Sequence, residues 1–229
     1  MPGGMAMAYV FEFTWILQYA PVLLKGIAVT IALTAVGAGA GLALATLCAW
    51  IRTQGPRWLR VPVVAYVELI RNTPFLIQLF FIFFGLPSAG LRLGEMQAAM
   101  LAMVVNLGAY GAEIIRAGIE ATPRGQVEAG LSLAMSRLQV FRHVVLGPAM
   151  RRIWPALSSQ VVIVMLGSSV VSQIAAEDLT FAANFIQSRN FRSFEVYFVV
   201  ILLYLALAVI LRQALRLAGE RLFSRGRAQ

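Results

Sequence analysis

Few side chains in this sequence could do chemistry, and their positions narrow what that chemistry is. Glu113 stands three residues before Arg116. An acid inside an apolar run serves as half of a local ion pair, as a link to a neighbouring helix, or as a contact for a polar solute. Ser168, Ser169, Ser172 and Gln173 follow one another in a later run, and Ser169, Ser172 and Gln173 share one helical face by 3 to 4 spacing. Such a face lines a polar route or glues helices together. Asn106 adds an isolated amide. Arg71-Asn72-Thr73-Pro74 is a polar interruption in which Pro74 removes a backbone donor and restricts Thr73. A broken polar turn at membrane depth needs protein or a cavity beside it, and both gate structure and solute contact fit it.

Catalysis finds no support in these residues. Cys48 and His143 are the only cysteine and histidine, which leaves no disulfide and no metal site. Nothing pairs a nucleophile with a base. Lys25, the single lysine, is followed by glycine without a preceding G-x-x-x-x-G, so the chain has no Walker A loop for ATP.

The elements that carry these residues are membrane helices. Of 229 residues, 60% are hydrophobic and 13% charged, with a mean hydropathy of +0.79, which nearly excludes a soluble domain. Three uncharged runs are long enough to cross about 30 Å of hydrocarbon: Gly26 to Ile51, Asn72 to Leu91 and Ile153 to Ala176. Met96 to Ala112 and Val196 to Leu211 are shorter and reach span length if their flanking charges snorkel. Five helices and no transmembrane barrel are expected, because the runs do not alternate. The second helix is expected to start near Val61, with Glu68 and Arg71 offsetting each other on its first turns. The first span reads as a stable helix rather than a cleaved signal.

Arginines give the orientation. The segments after helix one (Arg52, Arg57, Arg60), between helices three and four (Arg116, Arg124, Arg137, Arg142, Arg151, Arg152) and after helix five (Arg212, Arg216, Arg221, Arg225, Arg227) hold 14 of the 19 basic residues. The positive-inside rule then puts the N-terminus outside and the C-terminus in the cytoplasm. Topology thus accounts for the net charge of +9, and no nucleic-acid partner is expected.

Two connections are long. In the segment 117–152, Thr122-Pro123 starts a short amphipathic helix running from about Arg124 to Gln139. Val127, Leu131, Ala134, Met135 and Leu138 recur on it at 3 to 4 spacing, with Glu128, Arg137 and Gln139 turned away. It reads as a helix on the membrane surface or as a docking element for a soluble partner. Glu177 to Glu195, with Phe181, Phe185, Phe191 and Phe194, suits an interfacial helix more than a free loop.

From about Leu23 to Leu217 the sequence resembles the inner-membrane permease subunits of bacterial ABC importers for polar amino acids, of the histidine, glutamine and glutamate type. The resemblance is carried by VELIRNTPFLIQLFFIFFGLP (Val67 to Pro87), NLGAYGAEIIRAGIEATPRGQVEAG (Asn106 to Gly130) and VMLGSSVVSQIAAEDLT (Val164 to Thr180). It implies an all-α integral membrane protein with five transmembrane helices, the type I ABC importer permease fold, and a cytoplasmic coupling helix. It divides the chain into an external segment 1–21, a permease domain 22–217 with the coupling region at about 117–152, and a cytoplasmic basic tail 218–229.

The implied partners are a second permease subunit, two cytoplasmic ATPase subunits that bind ATP and Mg, a periplasmic amino-acid-binding protein and membrane lipid. No cofactor is expected in this chain. The family's coupling pattern is E-A-A, a glycine, and later I-x-L-P. Here Glu128 and Ala129 match, Gly130 replaces the third alanine, Ala134 replaces the glycine, and Val144-Val145-Leu146-Gly147 is followed by Pro148. If the glycine position requires positive φ, Ala134 strains the loop. Coupling is therefore expected at Glu128, Ala129, Gly130, Ala134 and Arg137. Candidate path or gate residues are Arg71, Asn72, Thr73, Asn106, Glu113, Ser168, Ser169, Ser172 and Gln173. The alternatives are an ion-gradient transporter or channel subunit, for which only Glu68 and Glu113 could relay protons, and a membrane assembly protein without transport.

Overall fold

A computed structural model of the protein describes residues 10–223, and these are helical nearly throughout. The chain runs through α1 (Trp15–Gln54), α2 (Arg57–Arg71), α3 (Phe75–Phe80), α4 (Glu95–Glu120), α5 (Arg124–Ser132), α6 (Arg137–Gln139), α7 (Gly147–Gly167), α8 (Leu179–Asn190) and α9 (Ser193–Phe223). Four helical stretches are long and apolar enough to cross a membrane, and the bent pair formed by α2 with α3 and its extension to Ala89 makes a fifth. The expected count of five is met on that reading.

α1 contains 40 residues, about 60 Å at 1.5 Å per residue and twice the hydrocarbon thickness. It therefore starts well before Gly26, inside the segment assigned to 1–21. At the other end α9 carries helix to Phe223, into the expected tail. Residues 1–9 and 224–229, including Arg225 and Arg227, lie outside the described residues.

The centre of the bundle is α4 packed along α1. In lipid, helices gain little from apolar burial against each other and depend on close packing of small side chains. Gly37, Gly41, Ala45 and Ala49 stand at four-residue intervals on the buried side of α1. A Cβ on Gly41 would meet Leu107 Cβ at 2.9 Å, and one on Gly111 of α4 would meet Ala45 Cβ at 2.8 Å. These glycines set the distance between the two helices, and α7 then packs on α4, with Gly118 against Ile153.

The second span departs from expectation. Pro74 has no N–H to continue the ladder, and α3 leaves α2 at 115°. α2 is a separate helix from Arg57, so Glu68 and Arg71 fall on its last turn rather than its first. They do not offset each other: Glu68 Oε2 accepts from Asn72 Nδ2 at 3.2 Å, and Arg71 reaches Glu113 at 3.8 Å.

The connection after α7 forms the expected helix, α8, but as a packed element. Leu179, Ala182, Ala183 and Ile186 are buried, and α8 lies against α1. A Cβ on Gly26 would come within 2.9 Å of Leu179 Cα. Of the aromatics, Phe191 is the left-handed cap after α8 at φ 55° and Phe194 belongs to the first turn of α9.

Candidate functional site

Glu113 is the hub of an ion cluster. Its Oε2 accepts from Arg52 Nη1 at 2.6 Å, its carboxylate is paired with Arg116, and Arg71 Nη1 lies 3.8 Å away. Arg116 also pairs with Glu120. The cluster joins the end of α1, the bend after α2 and the end of α4. The side chains of Arg52 and Glu113 are only 12% and 22% exposed, so screening by water is limited. Both oxygens of Glu113 are engaged, which favours the helix-linking reading over solute contact. Arg71 sits 5.8 Å from the centre of the Tyr110 ring, and Tyr110 donates to the Arg71 carbonyl at 3.3 Å.

Next to the bend lies a seam of amides. Buried Gln78 donates from Nε2 to the carbonyls of Ile70 (2.7 Å) and Thr73 (3.0 Å) and approaches Thr73 Oγ1 at 3.0 Å. Pro74, lacking an N–H, leaves the Ile70 carbonyl without its helical donor, and the Thr73 carbonyl loses its own because Ile77 N donates to the Pro74 carbonyl instead. Gln78 Oε1 in turn accepts from Asn106 Nδ2 at 2.9 Å. Thr73 and Asn106 are thus brought together through Gln78, which lies outside the candidate residues that the sequence offers. Asn72 turns outward and caps its own helix through Glu68.

The serine segment is not α-helical. Ser168–Ile174 forms a 3-10 helix, in which residues three apart eclipse each other. Ser169 and Ser172 therefore align, with Ser172 Oγ donating to the Ser169 carbonyl at 2.9 Å, while Gln173 is turned away and exposed. Ser168 faces inward at 0% exposure beside Val171. The segment ends at Ala175, in the left-handed region at φ 62°.

At the end of the bundle where α4 and α7 meet, α5 stands apart. Its helix stops at Ser132 rather than continuing to Gln139. Met135 N donates to the Gly130 carbonyl and Ala134 N to the Leu131 carbonyl, a Schellman closure that puts Ala134 at φ 59°. Ser136 then caps a new start, bonded reciprocally with Gln139. The break divides the expected apolar face. Val127 and Met135 pack on the bundle, while Leu131, Leu133 and Leu138 are exposed at 44%, 78% and 71%. Glu128, Ala129 and Arg137 are exposed, and Gly130 is buried, with a hypothetical Cβ 3.0 Å from Val140 Cγ2.

Two organising residues escaped sequence reasoning. Gln78 is a lone amide in an apolar run next to a proline, a signal for a buried polar anchor. Asp178 is the chain's single aspartate, and its place before Leu179 is an N-cap signature. Its Oδ1 accepts from Phe181 N at 2.9 Å and its Oδ2 from the Tyr204 hydroxyl at 2.8 Å, tying α8 to α9. Among the described residues no cluster of histidine, cysteine and acids is arranged to hold a metal.

Residues 38–224 match the family described as binding-protein-dependent transport system inner membrane component. The glutamine transport system permease protein GlnP of Escherichia coli (strain K12) is 33% identical over 214 residues, covering 93% of this chain and 98% of that protein. The L-cystine transport system permease protein TcyB of Bacillus subtilis (strain 168) is 37% identical over 179 residues, covering 78% of this chain and 76% of that protein. A solved structure of an amino acid ABC transporter with histidines superimposes with a TM-score of 0.85 at 32% identity, over 93% of this chain and 100% of that one. The MetNI methionine ABC transporter in an inward-facing conformation shares the fold, with a TM-score of 0.68 at 21% identity over 91% of this chain and 97% of that one. The chain therefore belongs to the family of inner-membrane components of binding-protein-dependent transport systems, as a multi-pass permease with the type I fold.

Proposed function

We propose that this chain is the permease subunit of an ATP-driven importer that carries a polar amino acid across the inner membrane, its N-terminus outside and its C-terminus in the cytoplasm. Paired with a second permease subunit, it receives solute from a periplasmic binding protein and works with two ATPase subunits. Those subunits bind ATP and Mg, and this chain supplies the route and the mechanical linkage. The relatives named above, which carry amino acids in their descriptions, support the class of solute.

The observation that carries the reading is the geometry of α5. A helix whose outer side presents Glu128, Ala129 and the uncovered Leu131, with Leu133 exposed just past its end, while Gly130 seats its inner side on Val140, is built to be pushed as a unit by something outside this chain. Glu128, Ala129 and Arg137 meet the ATPase, and Gly130 and Ala134 shape the helix and its closure. ATP-driven closure of the ATPase pair moves α5, and the displacement passes to α4 and α7, between which it is strung. Arg71, Asn72 and Thr73 form the gate at the bend, while Asn106 and the Ser169 and Ser172 edge offer hydrogen bonds to the solute. Glu113 holds the gate to α1 and α4. Ser168 supports the path from within, and Gln173 marks its outer end.

The test is ATP hydrolysis by the complex in lipid, with and without loaded binding protein, for wild type and Glu128→Ala. Stimulation by loaded binding protein that Glu128→Ala abolishes, in a complex that still assembles, is the expected result. Uptake that runs unchanged without ATP overturns it.

A further inference from the structure

Between α7 and α9, at the end of the bundle that carries α5, lies a groove of about 1170 Å³ whose walls change character along its length. Toward the middle of the helices they are apolar: Val162 and Ile163 on α7, Val209 on α9. Toward the end they become cationic, with Arg151 on α7 facing Arg212 and Arg216 on α9. Trp154 and Phe223, edge to face at 5.6 Å, mark the same end. The floor is fixed, because Trp154 Nε1 donates to the Leu215 carbonyl at 2.9 Å and its ring fills the space over Gly219.

The charges do not balance within the groove. Glu220 is the one carboxylate there, and it accepts from Arg216 Nε at 3.0 Å. Arg151 donates to the carbonyl of Phe223. Arg212, one helical turn deeper than Arg216, makes no hydrogen bond or ion pair with any described residue. Closing a protein surface over three guanidinium groups and one carboxylate would bury unpaired cations, at a cost of several kcal/mol per ion. A ligand with an anionic head and an apolar tail meets both ends of the groove, and basic pockets between helices at a membrane surface recognise lipid head groups.

We propose that this groove is a binding site for an anionic phospholipid. The phosphate lies among Arg212, Arg216 and Arg151, and an acyl chain runs along Val162, Ile163 and Val209. The site needs only the membrane placement of the chain and goes beyond the importer reading, which it neither requires nor repeats.

The experiment is native mass spectrometry of the whole transport complex in mild detergent, titrated with phosphatidylglycerol or with phosphatidylcholine. Wild type is expected to prefer phosphatidylglycerol, and Arg212→Gln to lose about five-fold in its affinity for that lipid, whereas Arg212→Lys retains most of it. A photoreactive side chain in place of Ser159 should give an adduct with the mass of one phospholipid. Equal retention of the two lipids, an unchanged affinity in Arg212→Gln, or an adduct with the second permease chain would each overturn the proposal. Because Arg212→Lys keeps the charge, its behaviour separates loss of binding from loss of folding.

Discussion

Arg52 Nη1 lies 2.6 Å from Glu113 Oε2, joining α1 and α4 across 61 positions of sequence at the point where the bent α2 and α3 pair also reaches them through Arg71. Removing one member of such a partly buried group strands the others, so the loss exceeds what a surface pair is worth. Glu113→Ala is expected to cost the purified complex about 2 kcal/mol, and Glu113→Gln less, because an amide still accepts from one arginine. Thermal unfolding in detergent checks this. A double-mutant cycle with Arg52→Ala should show coupling near 1 kcal/mol or more, and strictly additive losses would show that the pair is not energetically joined.

Much of the architecture is legible in the sequence because the bilayer imposes a length and an apolar composition on each span. The run from Met96 to Ala112 is too short by itself, yet α4 is 26 residues long, since Glu113 and Arg116 neutralise each other inside the bundle. Pro74 announces the break, but nothing local says that the chain turns by 115° there, because the direction is set by Gln78 capturing carbonyls across the bend. The serine spacing predicts an α-helical face, and a switch to 3-10 winding leaves no compositional trace. Ser169 and Ser172 align under either period, whereas Gln173 joins them only under the α-helical one.

The bend rests on Gln78. Gln78→Leu keeps volume but removes the side-chain donor from the Thr73 carbonyl, leaves the Ile70 carbonyl with only its long bonds from Thr73, and deprives Asn106 of its acceptor, so it should cost about 2 kcal/mol. Asn106→Ala strands only Gln78 Oε1 and should be milder in stability. Gln78→Leu should also raise hydrogen exchange at Thr73 to Gln78 if the bend loosens. Protection that stays at the wild-type level would show that Pro74 alone fixes the turn.

Ala134 occupies a left-handed position at φ 59°, where a Cβ costs about 1 kcal/mol and glycine costs nothing. Ala134→Gly should therefore stabilise the α5 closure by a few tenths to about 1 kcal/mol, the gain being reduced by the greater freedom of glycine when unfolded. Gly130→Ala should act in the opposite sense, because the new methyl would stand 3.0 Å from Val140 Cγ2 and push α5 off its seat. Local hydrogen exchange over 124–139 separates the two, with slower exchange for Ala134→Gly and faster for Gly130→Ala.

Asp178 gives the fold a dependence on pH. It lies in the connection between Ile174 and α8, and burial pushes its carboxyl up to about 6, against hydrogen bonds from Phe181 N and the Tyr204 hydroxyl that pull it down. Its folded value thus lies above its ordinary value of 3.8. Between those two pH values the folded chain holds a proton that the unfolded chain has released, so stability falls as pH rises through the window and levels off above about 6. Asp178→Asn keeps an acceptor for Phe181 N and a good N-cap, and offers an amide to the Tyr204 oxygen, without the ionisation. Unfolding temperatures taken from pH 4 to pH 7 should therefore lose this downward slope in Asp178→Asn relative to wild type. A slope that survives the substitution unchanged would place the responsible group elsewhere, and a variant already less stable than wild type at pH 4, where the folded carboxyl holds its proton, would mean that hydrogen bonds of the neutral carboxyl that an amide does not reproduce hold α8 to α9.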